Sequence, residues 1–171
     1  YCAQDAKALR DCLIQGGCFS PENTVLMTDQ REGENEPTYG RIRRRIKGLA
    51  EQIKGKAETL LVFFSGHGVG KGKRDMLLLP VDGGPELGIP MSDVRRWLKE
   101  AGATNTIVIL DACRTGKGIK GVISVDPTLA AGPGVVVFAS CKGGQESHEM
   151  EENEHGVFSS YLLSGLKGEA D

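Results

Sequence analysis

Three short apolar segments without polar alternation constrain the fold of this chain most strongly. They are T-L-L-V-F-F at residues 59–64, T-I-V-I-L at residues 106–110 and G-V-V-V-F-A at residues 134–139. Strands that are buried on both faces have this composition, as in parallel sheets covered by helices on both sides. Because helical segments alternate with these strands, the sequence predicts an α/β sandwich with a mostly parallel central sheet.

Helical periodicity predicts the layers that cover the sheet. Apolar residues recur at helical spacing over residues 3–15 and again after Thr38, whose side chain can cap the second helix. A third helix is expected to begin at Ser92 as its cap, and another lies near the C-terminal end, with short strands at residues 25–28 and 76–79. Since neither a repeat nor a linker divides the chain, a single domain is expected.

The length and charge of the chain exclude several functional classes. A chain of 171 residues can bury a sizeable core, and no apolar run approaches the ~20 residues of a membrane helix. The net charge of −2 lacks the basic excess of a general nucleic-acid binder. Nucleic acid and membrane are therefore not expected as partners. The arginine run at residues 41–45 leaves two interpretations, a solvated helix face or a local nucleic-acid contact.

The five cysteines do not form a recognisable metal or disulfide pattern. Their odd number and wide spacing argue against a disulfide scaffold and against a zinc module. We therefore expect a reducing compartment and a cytoplasmic location.

Two reactive side chains directly follow two of the predicted strands. His67 comes after residues 59–64, and Cys113 comes after residues 106–110. In open α/β sheets, sites form beyond the carboxyl ends of strands, so these two residues are expected to lie close together. A cysteine nucleophile acts as the thiolate and needs a nearby base, for which histidine is the usual choice. The sequence therefore predicts a Cys–His dyad.

The segments around His67 and Cys113 resemble the catalytic segments of caspase-like cysteine peptidases. F-F-S-G-H-G at residues 63–68 and L-D-A-C-R-T-G at residues 110–116 are most similar to those of metacaspases and their bacterial relatives, the orthocaspases. Further similarities follow in the family's order at residues 1–9, 139–149 and 156–163. The resemblance implies a caspase-like α/β/α sandwich over residues 1–171, with its first strand before Tyr1 and part of its small-subunit region beyond Asp171.

The resemblance also implies the roles of individual residues. His67 would be the general base and Cys113 the nucleophile of a cysteine endopeptidase, with the N–H groups of Gly68 and Cys113 stabilising the oxyanion. Asp111 stands two residues before the nucleophile, where caspases have glutamine. Together with Asp5 it matches the carboxylates with which metacaspases bind arginine or lysine, and an acidic pocket favours a cation.

The expected substrate is therefore a protein or peptide with a basic residue before the scissile bond. Ser147 is assigned to the same pocket by the resemblance. The glycine-rich loop at residues 114–133 carries three cations at which self-processing is predicted, since exposed loops are preferred sites of cleavage. These cations are Arg114, Lys117 and Lys120.

No cofactor or metal is expected. Many metacaspases need calcium, but Lys117 and Lys120 stand where carboxylate ligands would be required, and Ca²⁺ takes about 6–8 oxygen ligands. Two alternatives to the endopeptidase stay open. One is a catalytically silent regulatory or adaptor domain, and the other is an effector peptidase of the same clan with a different specificity. Either can act with regulatory domains or partner proteins.

Overall fold

A five-stranded sheet lies at the centre of the molecule in the computed structural model. The strand order is β3-β2-β1-β4-β5. The strands are β1 (Thr59–Lys71), β2 (Asp75–Leu78), β3 (Ile89–Pro90), β4 (Asn105–Arg114) and β5 (Val135–Ala139). The structure describes residues 1–56, 58–71, 75–84, 87–114, 134–140, 149–150 and 155–169.

The three apolar segments form the parallel part of this sheet, as predicted. β1 pairs in parallel with β4, and β4 pairs in parallel with β5. The short strands β2 and β3 extend the β1 side in antiparallel pairing. A separate two-stranded sheet joins β6 (Glu149–Met150) to β7 (His155–Gly156).

Among the described residues, four α-helices cover the two faces of the sheet. They are α1 (Cys2–Gln15), α2 (Tyr39–Ile53), α3 (Met91–Ala101) and α4 (Val157–Leu166). Side chains alternate between the faces of a strand, and β4 shows this directly. Val108 and Leu110 pack with Trp97 of α3, whereas Ile109 packs with Leu9 of α1 and Leu163 of α4. The predicted α/β/α sandwich is therefore confirmed.

The helix boundaries follow local chemistry. Thr38 caps α2, and its Oγ1 accepts a hydrogen bond from the N–H of Arg41 at 3.4 Å. The predicted cap of α3 is wrong, because Pro90 rather than Ser92 occupies the N-cap position. Proline suits a helix start, where its missing N–H leaves no hydrogen bond unmade. Gly102 ends α3 with φ +64°, in the left-handed region.

Most of the arginine run on α2 is engaged by the loop that precedes the helix. The side chains of Arg41 and Arg44 form ion pairs with Glu36 and Glu34. Arg45 donates a hydrogen bond to the Asn35 side chain at 3.3 Å. These contacts favour the interpretation of the run as a solvated helix face, with most of its charges already paired. No helix within the described ranges is long and apolar enough to cross a bilayer.

Three predictions about the strands need correction. Residues 25–28 join neither sheet, since no strand of the described residues pairs with them. β5 was expected to be buried on both faces, but Val136 and Phe138 are about half exposed, at 47% and 49%. β1 and β4 continue beyond Phe64 and Leu110, where the apolar patterns end.

Candidate active site

His67 and Cys113 are direct neighbours on adjacent parallel strands. The register of β1 and β4 makes their Cα atoms partners. Neighbouring strands lie about 4.8 Å apart, so the two residues predicted to form the dyad stand side by side. The prediction placed both residues after the ends of the strands. In the structure β1 and β4 are longer than predicted, and both residues lie within them. The Cys113 side chain is outside the described part of the chain.

The backbone of His67 is held from both sides. On one side β4 pairs with it, and on the other the N–H of Leu79 donates a 3.0 Å hydrogen bond to the His67 carbonyl. The His67 side chain itself is exposed. A rigid backbone and an accessible imidazole are what a general base needs in order to meet a substrate.

β4 extends beyond its neighbour β5 at the carboxyl edge of the sheet. The pairing of these strands reaches Leu110, whose carbonyl accepts a 2.9 Å hydrogen bond from the N–H of Ser140. Asp111 and Cys113 follow on the projecting part of β4. The two predicted functional residues therefore lie at the edge where α/β proteins place their sites.

Two carboxylates that are far apart in sequence meet beneath this edge. Asp5, in the first turn of α1, is only 2% exposed, and Asp111 is 7% exposed. A Cβ atom built on Gly156 would lie 3.1 Å from Asp111 Oδ2 and 3.4 Å from Asp5 Oδ2. Both oxygens thus border the same small space beside Gly156. We call these two carboxylates the acidic pair.

The hydrogen-bond partners of the acidic pair come from the junction of β7 and α4. His155 Nδ1 lies 2.7 Å from Asp5 Oδ1, and the Gly156 N–H donates a long hydrogen bond of 3.4 Å to Asp5 Oδ2. The buried Ser159 hydroxyl donates to Asp111 Oδ2 at 2.7 Å. The junction therefore holds both carboxylates.

Sequence analysis missed His155 and Ser159. His155 ends the polar stretch H-E-M-E-E-N-E-H, which predicts an exposed loop, yet its side chain is 29% exposed and bonded to a buried carboxylate. Ser65 was missed as well. It is the Cα partner of Asp111 and stands two residues before His67, just as Asp111 stands two residues before Cys113. This matching spacing in the sequence could have identified Ser65 as a neighbour of Asp111.

The environment of Asp5 acts on its ionisation in two directions. Burial raises the pKa of this carboxyl above its ordinary value, and the nearby Asp111 carboxylate raises it further. The hydrogen bonds from His155 and from the Gly156 N–H lower the pKa of Asp5, but burial is the larger effect. Asp5 therefore costs free energy to ionise where it stands.

Asp5→Asn is expected to stabilise the fold at neutral pH. Because the folded-state pKa of Asp5 lies above the ordinary value of about 3.9, stability is lost as pH rises from about 4 through that raised pKa. The amide removes this loss, and its oxygen still accepts a hydrogen bond from His155. We expect Tm at pH 7 to rise by about 2–4 °C, which is roughly 1 kcal/mol for a chain of this size.

Thermal melts between pH 4 and pH 8 measure this effect. Asp11→Asn is the matched control, since Asp11 lies on the same helix in a partly exposed ion pair with Arg10 and its removal should cost about 1 kcal/mol. If Asp5→Asn lowers Tm at pH 7 while the control does not, the acidic pair does not strain the fold.

The structure describes only some of the other residues predicted for the site. Gly68 is buried in β1, with Arg114 as its Cα partner in β4. Its role in an oxyanion hole stays a prediction. The Arg114 side chain and the residues Lys117, Lys120 and Ser147 lie outside the described residues.

A calcium site would draw several of its oxygen ligands from acidic side chains. Within the described residues, no group of three or more His, Cys, Asp and Glu side chains is placed to hold a metal ion. The Asp82 carboxylate accepts a 2.9 Å hydrogen bond from the N–H of Tyr39 at the start of α2. Activity without calcium stays a prediction.

Comparison with known proteins places this chain in a family. The family model described as the caspase domain matches residues 1–171. Metacaspase-4 of Arabidopsis thaliana is 34% identical over 67 residues, which cover 39% of this chain and 16% of that protein. Metacaspase-3 of the same plant is 27% identical over 126 residues, covering 67% of this chain and 34% of that protein. The chain thus matches about a third or less of either plant protein's length, and it belongs to the caspase-domain peptidase family.

Proposed function

We propose that this chain is a cysteine endopeptidase that cleaves proteins after arginine or lysine. The observation that carries the proposal is the direct pairing of His67 with Cys113 beside the buried acidic pair. The family supports a peptidase, and these neighbours supply the residue types that thiol-dependent hydrolysis requires.

The reaction follows from the two side chains of the dyad. The His67 imidazole takes the proton from the Cys113 thiol, and the thiolate attacks the carbonyl carbon of the scissile bond. The carbonyl oxygen becomes an oxyanion, which the N–H groups of Gly68 and Cys113 stabilise. The His67 imidazolium then gives its proton to the leaving amine as the C–N bond breaks. Water, activated by His67, hydrolyses the thioester and restores the thiol. These steps use no metal ion or organic cofactor.

The charge of the acidic pair supports a basic substrate residue. Asp111 lies two residues before Cys113 on the same strand, a Cα separation of about 6.7 Å. The acidic pair is therefore within reach of the side chain that precedes the scissile bond. Two buried carboxylates attract a guanidinium or ammonium group and repel an acidic side chain. Asp5 and Asp111 act here as the specificity pocket, in which Ser147 is the third residue that we assign.

Cleavage profiling on a peptide library tests the proposed function. Wild-type protein should cut after arginine or lysine, and the Cys113→Ala protein should cut nowhere. A silent regulatory or adaptor domain would cut no peptide and would not react with an electrophilic peptide ketone that ends in arginine. An effector peptidase of different specificity would cut after another residue type.

We also propose that the protein cleaves itself within residues 114–133. Arg114 is the last residue of β4, and the segment from there to β5 carries Lys117 and Lys120, so this stretch offers the basic residues that the pocket selects. Mass spectrometry of the purified wild-type protein should find breaks after one of these three residues. The Cys113→Ala protein should stay intact. A wild-type enzyme that is active and unbroken contradicts the processing step.

A further inference from the structure

His155 contacts the acidic pair at a point that the proposed reaction does not use. Its Nδ1 lies 2.7 Å from Asp5 Oδ1, and this contact links positions 150 residues apart. The other oxygen of the same carboxylate, Oδ2, borders the space beside Gly156. A carboxylate is planar, so holding Oδ1 at His155 fixes where Oδ2 points. His155, together with the Gly156 N–H that donates to Oδ2 at 3.4 Å, thus sets the direction of the Asp5 oxygen that borders the space shared with Asp111.

Gly156 lies directly beside the two carboxylates and has no side chain to displace them. Its φ of −62° and ψ of 145° are accessible to any residue, so its backbone does not require glycine. A side chain would instead meet the acidic pair, since a Cβ would lie 3.1 Å and 3.4 Å from the two Oδ2 atoms. The absence of a side chain at this position therefore lets the backbone at the start of α4 lie against both oxygens without displacing them.

We propose that His155 is a positioning residue and Gly156 a spacer, which together aim the two Oδ2 atoms of Asp5 and Asp111 at one guanidinium group. This inference rests on the proposed function and names what makes its pocket selective for arginine. A guanidinium presents several N–H donors in a planar fork, so it can donate to both carboxylates at once. An uncharged side chain of the same shape gains nothing from the charge of the pair.

The ionisation of Asp5 supports the same role for His155. Burial and Asp111 favour the neutral form of this carboxyl, whereas the hydrogen bond with His155 favours the charged form. Without that hydrogen bond the pocket would lose both the direction and part of the charge of Asp5. The titratable groups that act on Asp5 from the packed elements are Asp111 on β4 and His155 on β7.

Peptide binding to the Cys113→Ala protein tests the proposal without hydrolysis. The probes are two fluorophore-labelled peptides that differ only in ending with arginine or with citrulline, its uncharged analogue, and fluorescence polarisation gives Kd. His155→Leu should weaken binding of the arginine peptide by about 10- to 100-fold, as loss of a hydrogen bond to a charged group does. Binding of the citrulline peptide should change by less than about threefold.

Two further variants separate positioning from folding. His155→Asn keeps an N–H donor near the position of Nδ1, and should bind the arginine peptide within about threefold of the parent. Gly156→Ala places a methyl group against the acidic pair, and should weaken arginine binding by about tenfold or more without changing charge. Gly48→Ala is its matched control, since a Cβ at that exposed position on α2 meets nothing within 4 Å. Thermal melts report the folding of each variant. If His155→Leu does not fold, His155→Asn and Gly156→Ala together test whether His155 and Gly156 position the acidic pair.

Several outcomes would overturn the inference. Unchanged arginine binding in His155→Leu removes the positioning role, and equal losses for arginine and citrulline indicate a merely structural one. Failure of His155→Asn to retain binding excludes the hydrogen bond as the cause, and a parent that does not bind the arginine peptide excludes the pocket. The proposed function fails separately, when the protein with Cys113 intact hydrolyses no arginine peptide even though the Cys113→Ala protein binds it.

Discussion

Cys113→Ala is expected to lower kcat/KM on an arginine-ending fluorogenic peptide by about 10⁴-fold or more, while the fold stays intact. The reason is chemical, since alanine offers no atom that can form the thioester. Cys113 also lies on the projecting end of β4, at the edge of the sheet where α/β proteins place their sites. Steady-state kinetics on the purified variant measure the loss, and thermal melting reports the fold.

The other cysteines provide the control for this experiment. Cys18 is exposed and follows α1, so Cys18→Ala should retain wild-type kinetics. His67→Ala should lose about 10²- to 10⁴-fold, the usual contribution of a general base. Because His67 is exposed, its replacement leaves no cavity and should cost little stability. If Cys113→Ala keeps activity within about tenfold of wild type, the nucleophile has been assigned wrongly.

The centre of the sheet could be predicted because burial dictates its composition. Strands covered on both faces must be apolar throughout, and residues 59–64 and 106–110 satisfy that condition. The ends of the strands could not be predicted in this way. Beyond Phe64 the chain continues as S-G-H-G, which has no apolar pattern, yet pairing with β4 on one side and β2 on the other keeps it extended to Lys71.

Strand formation also requires a neighbour, which composition does not reveal. Residues 25–28 have the composition of a strand, but without a partner within the described residues their backbone N–H and C=O groups join no ladder. β5 has the same apolar composition as β4 and yet exposes Phe138, because its position in the strand order differs.

For the acidic pair, too, local sequence motifs predicted the carboxylates but not the residue that contacts them. Asp5 and Asp111 were identified through the motifs that contain them, and each motif is local. His155 touches Asp5 across 150 residues of sequence, and its acidic neighbours in the chain indicate solvent exposure. Only the packing of α4 against α1 brings His155 to the carboxylate. Such a contact carries no local signal.

Asp111→Asn is expected to remove most of the preference for arginine while leaving the dyad in place. Asp111 is 7% exposed, so its charge is poorly screened by water. Breaking one side of a desolvated charge pair costs about 3–5 kcal/mol. At about 1.4 kcal/mol per tenfold change, this amounts to roughly two to three and a half orders of magnitude in selectivity. The amide has nearly the same shape, and its oxygen can still accept the hydrogen bond from Ser159.

Matched peptides that end in arginine, lysine or aspartate measure this loss as kcat/KM for wild type and variant. Ser159→Ala is the graded comparison, because it removes a neutral donor to Asp111 and keeps the charge. Loss of one such hydrogen bond costs about 0.5–1.5 kcal/mol, so arginine selectivity should fall by only about 2- to 10-fold. Two results would show that the acidic pair does not recognise the residue before the scissile bond. One is a wild-type preference for aspartate, and the other is an Asp111→Asn protein that keeps its preference for arginine. That conclusion would hold even with Cys113 confirmed as the nucleophile, since the two residues act on different parts of the peptide.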